Sequence, residues 1–393
     1  MRDRKELFFT VSSRIIALIS TFGIVLISSI LLGAVGRGYI SLTLTDAALV
    51  AIFSNVISGS SAMYFLNKMG EGKVFFSAFL WILFCSMIGS GILSYLHASP
   101  FLLLFLLSTA LSFHALVYNQ LFANQQFIKG NFLSILVQVA FLTALLPLFI
   151  FELPMTWERY FVIQISIWFL VTLLFIKHTK IGLVNLSELK TIFNYGIKNE
   201  LSFFLQFFSY RLSYFFIFHQ LGVRSLGVFG VMVIIAESVW VISKSFSTVS
   251  FAKQLKDEDI LGSVERTNYY TKLSLLLSFL ILLVLVIVPE NWYSLFFTSE
   301  FSGLQEILLV VSPGILAMSG STIIGHFFAA QNRQWVLIYK SLAGVLVTLL
   351  LTPIMLDLYG IWGAALVMSI SHLVSSMILY SYYFIIIKRI AVT

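Results

Sequence analysis

Arg211, Glu237 and Lys244 are ionisable residues set inside long apolar stretches, and they define the chemistry open to this chain. Arg211 lies in the run FFSYRLSY, flanked by Tyr210 and Tyr214. Its guanidinium presents five donors in a planar fork that matches a carboxylate or a phosphate. Glu237 and Lys244 are seven residues apart, close to two helical turns, so a helix projects both from one face, with Val241 between them and Ser245 and Thr248 continuing it. Three uses stay open. The two neutralise each other, they pair with Arg211, or they line a polar cavity in which Glu237 takes up a proton because desolvation raises a carboxyl pKa.

Weaker candidates surround these. Arg14 sits near the edge of the first apolar run, where its side chain either snorkels to water or faces a cavity. Asp46 is placed to pair with Arg37 or to face the same polar space. Asn55, His114, Asn119, Gln120, Gln138, His326, Lys340 and His372 suit interhelical hydrogen bonding. His326 and His372 are too isolated for a metal site, and Cys85, the sole cysteine, leaves no disulfide framework. There is no Gly-rich phosphate loop ending in Lys-Ser/Thr, no Gly-x-Ser-x-Gly elbow and no His-Glu-x-x-His pair. That inventory favours a transporter over an enzyme, with no cofactor beyond coupling to H⁺ or Na⁺.

The elements that must hold these residues follow from composition. Of 393 residues, 59% are hydrophobic and 10% charged, with mean hydropathy +0.99. A soluble chain carries roughly 25% charged residues, so the medium is a bilayer. Apolar runs of the ~20 residues a crossing needs recur at 15–36, 39–66, 74–96, 101–123, 132–151, 160–176, 201–221, 225–250, 273–288, 307–330, 336–356 and 358–387. The second run is interrupted by Asp46 and Asn55 and is longer than one crossing requires. The first run is one of many, so it reads as a span and not as a cleaved signal peptide. Pro313, Gly314 and Pro353 are expected to kink or hinge the tenth and eleventh spans.

The net charge of +7 is topogenic in such a chain and carries no nucleic-acid implication. Twelve spans put both termini on one side. With that side cytoplasmic, seventeen Lys and Arg lie inside, Arg37, Arg159 and Arg224 lie outside, and Arg14, Arg211, Lys244 and Lys340 fall within spans. The expected organisation is a six-helix lobe over 1–180, a cytoplasmic linker over 181–200 and a second six-helix lobe over 201–393. Leu186, Leu189, Ile192 and Phe193 are spaced for a short interfacial helix inside that linker.

The two halves show traces of duplication. Leu32-Gly33 followed by Gly38 matches Leu221-Gly222 followed by Gly227 at an offset of 189 residues, at which Ala47 also meets Ala236 and Ser58 meets Ser247. Phe122-Ala123-Asn124-Gln125 resembles Phe328-Ala329-Ala330-Gln331 at an offset of 206. Parallel repeats of this kind permit rocking around a site at their interface, and the glycine-bearing turns after spans one and seven let paired helices approach closely.

LLGAVGRGYISLTL (Leu31 to Leu44) resembles the turn between the first two spans of polysaccharide exporters of the multidrug/oligosaccharidyl-lipid/polysaccharide superfamily. The stretch from Phe193 to Gln254 is similar to the start of the second half of Wzx-type O-antigen flippases, and Leu358 to Tyr380 to their last span. The resemblance runs through essentially the whole chain in order and span number. It implies an all-α, MATE-like membrane fold that flips a polyprenyl-pyrophosphate-linked oligosaccharide, an O-antigen or capsule repeat unit, across the bacterial inner membrane by alternating access. It implies a central cationic cavity lined by helices one, two, seven and eight. Carried onto this chain, the cavity residues are Arg14, Arg37, Arg211 and Lys244, with Glu237 and Asp46 as pairing or ion-coupling acids. Membrane lipids, an O-antigen polymerase and a chain-length regulator are the partners it would bring.

Two departures bear on the site. Ser213 stands where relatives often place an acid two residues after the arginine, so Arg211 depends on Glu237. Lys198-Asn199 replace a proline that commonly follows the Tyr-Gly pair. Other readings are an H⁺- or Na⁺-coupled drug antiporter of the same superfamily, a major-facilitator carrier and a membrane-embedded polymerase. The Asp/Arg-rich signature of the second is missing from Asn67–Lys73, and no long outer loop serves the third.

Overall fold

The computed structural model describes residues 2–97, 99–176, 182–254 and 260–392. Among them the chain is α-helical, in the order α1 (Arg2–Ser58), α2 (Ser60–Met69), α3 (Glu71–His97), α4 (Phe101–Ala123), α5 (Phe127–Ile150), α6 (Trp157–Leu173), α7 (Leu186–Ser238), α8 (Trp240–Gln254), α9 (Ile260–Ile287), α10 (Glu290–Phe297), α11 (Leu304–Ala330), α12 (Gln334–Tyr359) and α13 (Ile361–Val392). A lipid-facing backbone must satisfy its own hydrogen bonds, and a helix does so within one segment. The many serines and threonines follow the same rule. Ser28 bonds the carbonyl of Ile24 at 2.6 Å and Thr45 that of Ser41 at 2.7 Å, while Ser243 and Ser274 join α8 to α9 at 2.7 Å.

α1 and α7 are too long to be single crossings. At 1.5 Å per residue, 57 residues span about 85 Å, against a hydrocarbon core of roughly 30 Å. Each folds back at one glycine, Gly33 (φ 62°, ψ −172°) and Gly222 (φ 82°, ψ 174°). Both conformations are ones that a Cβ disfavours. Among the described residues nine helical segments are long and apolar enough to cross a membrane. Two of them, those folded at Gly33 and Gly222, contain a pair of crossings each. α6, with 17 residues, completes the twelve.

The repeat is visible in backbone geometry. Gly33 and Gly222 share one unusual conformation at the offset of 189, and α3 and α9 begin at that same offset. The second match needs a correction by one residue. α4 ends at Ala123 and α11 at Ala330, and the left-handed residues that follow are Gln125 (φ 56°) and Asn332 (φ 55°), so the true offset is 207. The shared letters Phe-Ala and Gln misled because the turn is set by hydrogen bonds, Gln126 N to Leu121 O and Arg333 N to Phe328 O.

The chain forms two compact units, one of residues 1–32 and 39–204, the other of 33–38 and 205–393. In the first, Ile24, Ala47 and Val50 of α1 pack with Leu104, Phe141 and Phe161 of α4, α5 and α6. A second cluster joins Ile57, Leu66, Ala78 and Leu116 to Ile192 near the start of α7. The helix expected over Leu186–Tyr195 is therefore continuous with α7 and packs on this cluster instead of standing alone. In the second unit Val264, Ile324, Phe328, Val336 and Leu379 tie α9, α11, α12 and α13 together.

Helices also outrun the apolar runs. α9 starts at Ile260, thirteen residues before the ninth run, and α10 occupies what reads as a loop between 289 and 306. Pro313 and Pro353 lie inside α11 and α12 with neighbouring helical turns intact. The result is an all-α, multi-pass membrane protein.

Candidate functional site

The turn at Gly222 folds α7 back on itself, and the two arms bring together residues 26 positions apart. Arg211 precedes the turn by eleven residues, about 16 Å of helix, which is near half the thickness of a hydrocarbon core. Across the hairpin its Nη1 donates to Glu237 Oε1 at 2.8 Å and its Nη2 to Oε2 at 2.9 Å. This is the bidentate arrangement that the guanidinium fork favours. The pair is not fully enclosed, since 24% of the Arg211 side chain and 21% of the Glu237 side chain remain exposed.

Aromatic rings enclose one side of the pair. Arg211 Nη1 also donates to the Tyr214 hydroxyl at 3.4 Å, and its Cζ lies 5.1 Å from that ring's centre. The Tyr210 hydroxyl accepts from Gln206 Nε2 at 3.0 Å, and its ring meets Trp240 and His372 at 5.6 and 5.1 Å. Trp240 is held by its Nε1 donating to Ile315 O at 3.1 Å. Ser213 is buried, and Glu237 supplies the carboxylate for Arg211.

The contacts described for Lys244 and Asp46 lie elsewhere. The expected common face of Glu237 and Lys244 is interrupted, because α7 ends at Ser238 and α8 begins at Trp240. Val239 N bonds Ala236 O in a tight turn, and Ser238 Oγ takes the carbonyl of Ile235 at 2.6 Å. A seven-residue spacing across such a break no longer fixes a shared face. Lys244 is exposed, with its Nζ 6.0 Å from the Trp240 ring. Arg14 belongs to α1, and its side chain lies outside the described residues.

Asp46 lies nine residues beyond Arg37, about 14 Å along the helix axis. Asp46 is fully buried and faces Nδ1 of His97 with both oxygens, at 2.9 and 3.0 Å. With Asp46 ionised, the carboxylate only accepts and Nδ1 is the donor. Arg37 is 2% exposed in the Gly33–Gly38 turn, the largest fully buried side chain described. His97 escaped sequence reading because its partner lies 51 residues away, and Trp240 because an aromatic residue in an apolar run carries no signal of its own.

Among the described residues no group of three or more His, Cys, Asp or Glu is placed to hold a metal ion. The Arg211–Glu237 and Asp46–His97 pairs are also unequal between the halves of the repeat. At the offset of 189, Arg211 and Glu237 meet Phe22 and Ala48, and Asp46 and His97 meet Ile235 and Val286.

No family model matches the chain, and no curated protein matches it. Solved structures do. The fold is similar to an inward-facing MATE family multidrug-resistance transporter of the MOP superfamily, with TM-score 0.71 and 14% identity over 98% of this chain and 95% of that one. It is similar to the MATE multidrug transporter DinF-BH, at TM-score 0.68 and 16% identity over 97% and 94%. It is also similar to the lipid II flippase MurJ in an inward closed conformation, at TM-score 0.65 and 16% identity over 95% and 86%. These likenesses establish a MATE-like fold.

Proposed function

We propose that this chain is a transporter of the MOP superfamily that flips a lipid-linked oligosaccharide bearing a pyrophosphate across the bacterial inner membrane by alternating access. The observation that carries the reading is the partly exposed, bidentate Arg211–Glu237 pair inside an apolar helical hairpin. An ion pair in such surroundings is a poor stabiliser, because desolvation offsets most of the attraction and apolar residues of similar volume do as well or better. Its value is as an exchangeable contact. The fork that holds a carboxylate also fits a phosphate oxygen pair, so a pyrophosphate can take the place of Glu237 on Arg211. Release returns the arginine to the acid. Arg14, Arg37 and Lys244 remain part of the proposal only as further cations along the path, and Asp46 or Glu237 as carriers of a coupling H⁺ or Na⁺. The similarity to a lipid II flippase supports a lipid-borne substrate.

Deleting the gene and analysing surface glycan together with lipid-linked intermediates tests the reading. Loss of the glycan with accumulation of intermediates supports it, and an unchanged glycan profile removes it.

A second reading is an H⁺- or Na⁺-coupled antiporter of cationic drugs. It draws on Glu237 lying among Tyr210, Tyr214 and Trp240, since a carboxylate beside aromatic faces suits an organic cation, and on the similarity to multidrug transporters. Increased drug sensitivity of the deletion strain with normal glycan would select it.

A further inference from the structure

Three helical segments begin close together in the second unit. The second arm of α7 starts after Gly222, α11 starts at Leu304 and α13 at Ile361. Among these starts lies a cavity of about 250 Å³. The second arm of α7 lines it with Arg224, Ser225 and Val228, which the helical period puts on one face. Ser302 and Ile307 line it from the entry and first turn of α11, and Trp362 from the opening of α13.

Two of its polar groups have capacity to spare. Arg224 is exposed, and the ion pair described for it reaches Glu300 Oε1 at 3.8 Å. A charge-assisted N–H···O bond runs at about 2.7–2.9 Å, so the fork can take a closer acceptor. Glu300 is engaged elsewhere, its Oε2 accepting from Ala34 N at 2.6 Å. The indole N–H groups of Trp81 and Trp240 donate to Phe53 O and Ile315 O at 3.1 Å. Among the described contacts that of Trp362 has no such acceptor.

The electrostatics favour an anion. A helix start carries unbonded amides and the positive end of a backbone dipole. At α11 these are answered by Glu290, which accepts from Gly303 N at 2.7 Å and Gln305 N at 3.1 Å. The first turn of α13 holds no acid, and Arg224 adds a full cation. Glu300 opposes it only in part, at a distance and exposure that let water and salt screen the attraction.

We infer that this cavity binds a single acidic sugar unit, one ring bearing a carboxylate. The volume is below the ~300–1,000 Å³ of pockets that enclose drug-sized ligands, so one ring enters and a chain does not. The Arg224 fork takes the carboxylate. The Trp362 indole offers an apolar face to the C–H side of the ring and an N–H to its oxygens, and Ser225 and Ser302 supply hydroxyls. The inference rests on the reading of an oligosaccharide as substrate, of which it specifies one residue.

The test is saturation-transfer NMR on the purified protein in detergent, with glucuronate, glucose and acetate as separate probes. Glucuronate is expected to bind several-fold more tightly than either of the others, since only it uses both ring and charge. Arg224→Gln, a change at an exposed position that leaves the fold intact, should remove the preference over glucose. Trp362→Phe should weaken glucuronate several-fold. Acetate matching glucuronate would make the cavity a bare anion site, and glucose matching it would leave the arginine without a role; either overturns the assignment. So does the absence of glucuronate binding, or binding that survives both substitutions. Binding of a free monosaccharide requires no transport. Its failure leaves the proposed export standing, and an unchanged surface glycan after gene deletion removes that export without altering the binding result.

Discussion

Arg211 and Glu237 meet fork to fork across the Gly222 hairpin, at 2.8 and 2.9 Å, with no other acid bonded to the guanidinium among the contacts described. The relationship separates two roles that single substitutions confuse. Removing one partner leaves a charge stranded in poor surroundings, whereas removing both leaves none.

Arg211→Ala should therefore abolish transport and also lower thermal stability in detergent, because Glu237 is left without its donor. Arg211→Met combined with Glu237→Gln should recover most of that stability and none of the transport. Melting curves and surface glycan measured side by side check the split. A double variant that regains export would show the pair to be scaffolding.

Glu237→Gln keeps shape and one acceptor but frees the arginine from its counter-charge. Export should fall, and accumulated lipid-linked intermediates should rise. Equal export by parent and variant would count against that role.

The close approach of turns predicts sharp intolerance at Gly227. A methyl there would lie 1.8 Å from a backbone carbonyl, and backbone cannot move aside as a side-chain tip can, so Gly227→Ala should destabilise by upwards of about 2 kcal/mol. Gly91→Ala is the control, since its nearest neighbour would be 4.0 Å away and a helix interior gains up to about 1 kcal/mol from the exchange. Yield of folded protein and melting temperature report both.

The Asp46–His97 pair predicts an asymmetry. His97→Ala leaves a fully buried carboxylate with its donor removed, while Asp46→Asn leaves an amide that still accepts from the imidazole. The first should be the more destabilising by a clear margin in thermal unfolding, and similar losses for the two would contradict the assigned geometry.

α10 turns Tyr293 and Phe297 inward and leaves Trp292, Leu295 and Phe296 exposed beside two spans. Such a face suits the headgroup boundary of a bilayer. A spin label at Leu295→Cys should be protected from a water-soluble relaxation agent and sensitive to oxygen in the membrane. The reverse pattern would place the face in water.

Span number, helical class and the glycine turns were legible in the residues alone. A bilayer imposes a length and an apolarity on every crossing, and Gly33 and Gly222 mark folds that a Cβ would resist. Arg211 stood out for the same reason, as a cation placed where hydrocarbon does not tolerate one. α10 was hidden because eight residues of mixed character fall below the length at which an apolar run can be told from a loop.

Partnership was decided only by tertiary structure. The bond of Arg211 to Glu237 follows from a hairpin, that of Asp46 to His97 from the packing of α3 on α1, and that of Glu300 to Ala34 from a contact across 266 residues. A turn at Val239 separates the helical segments that carry Glu237 and Lys244, so their spacing alone does not fix a shared face. Membrane insertion acts on each segment through its own composition, so sequence carries it directly. A hydrogen bond acts between atoms within about 3 Å, and which side chains come that close is set by how the helices of each unit fold back and pack.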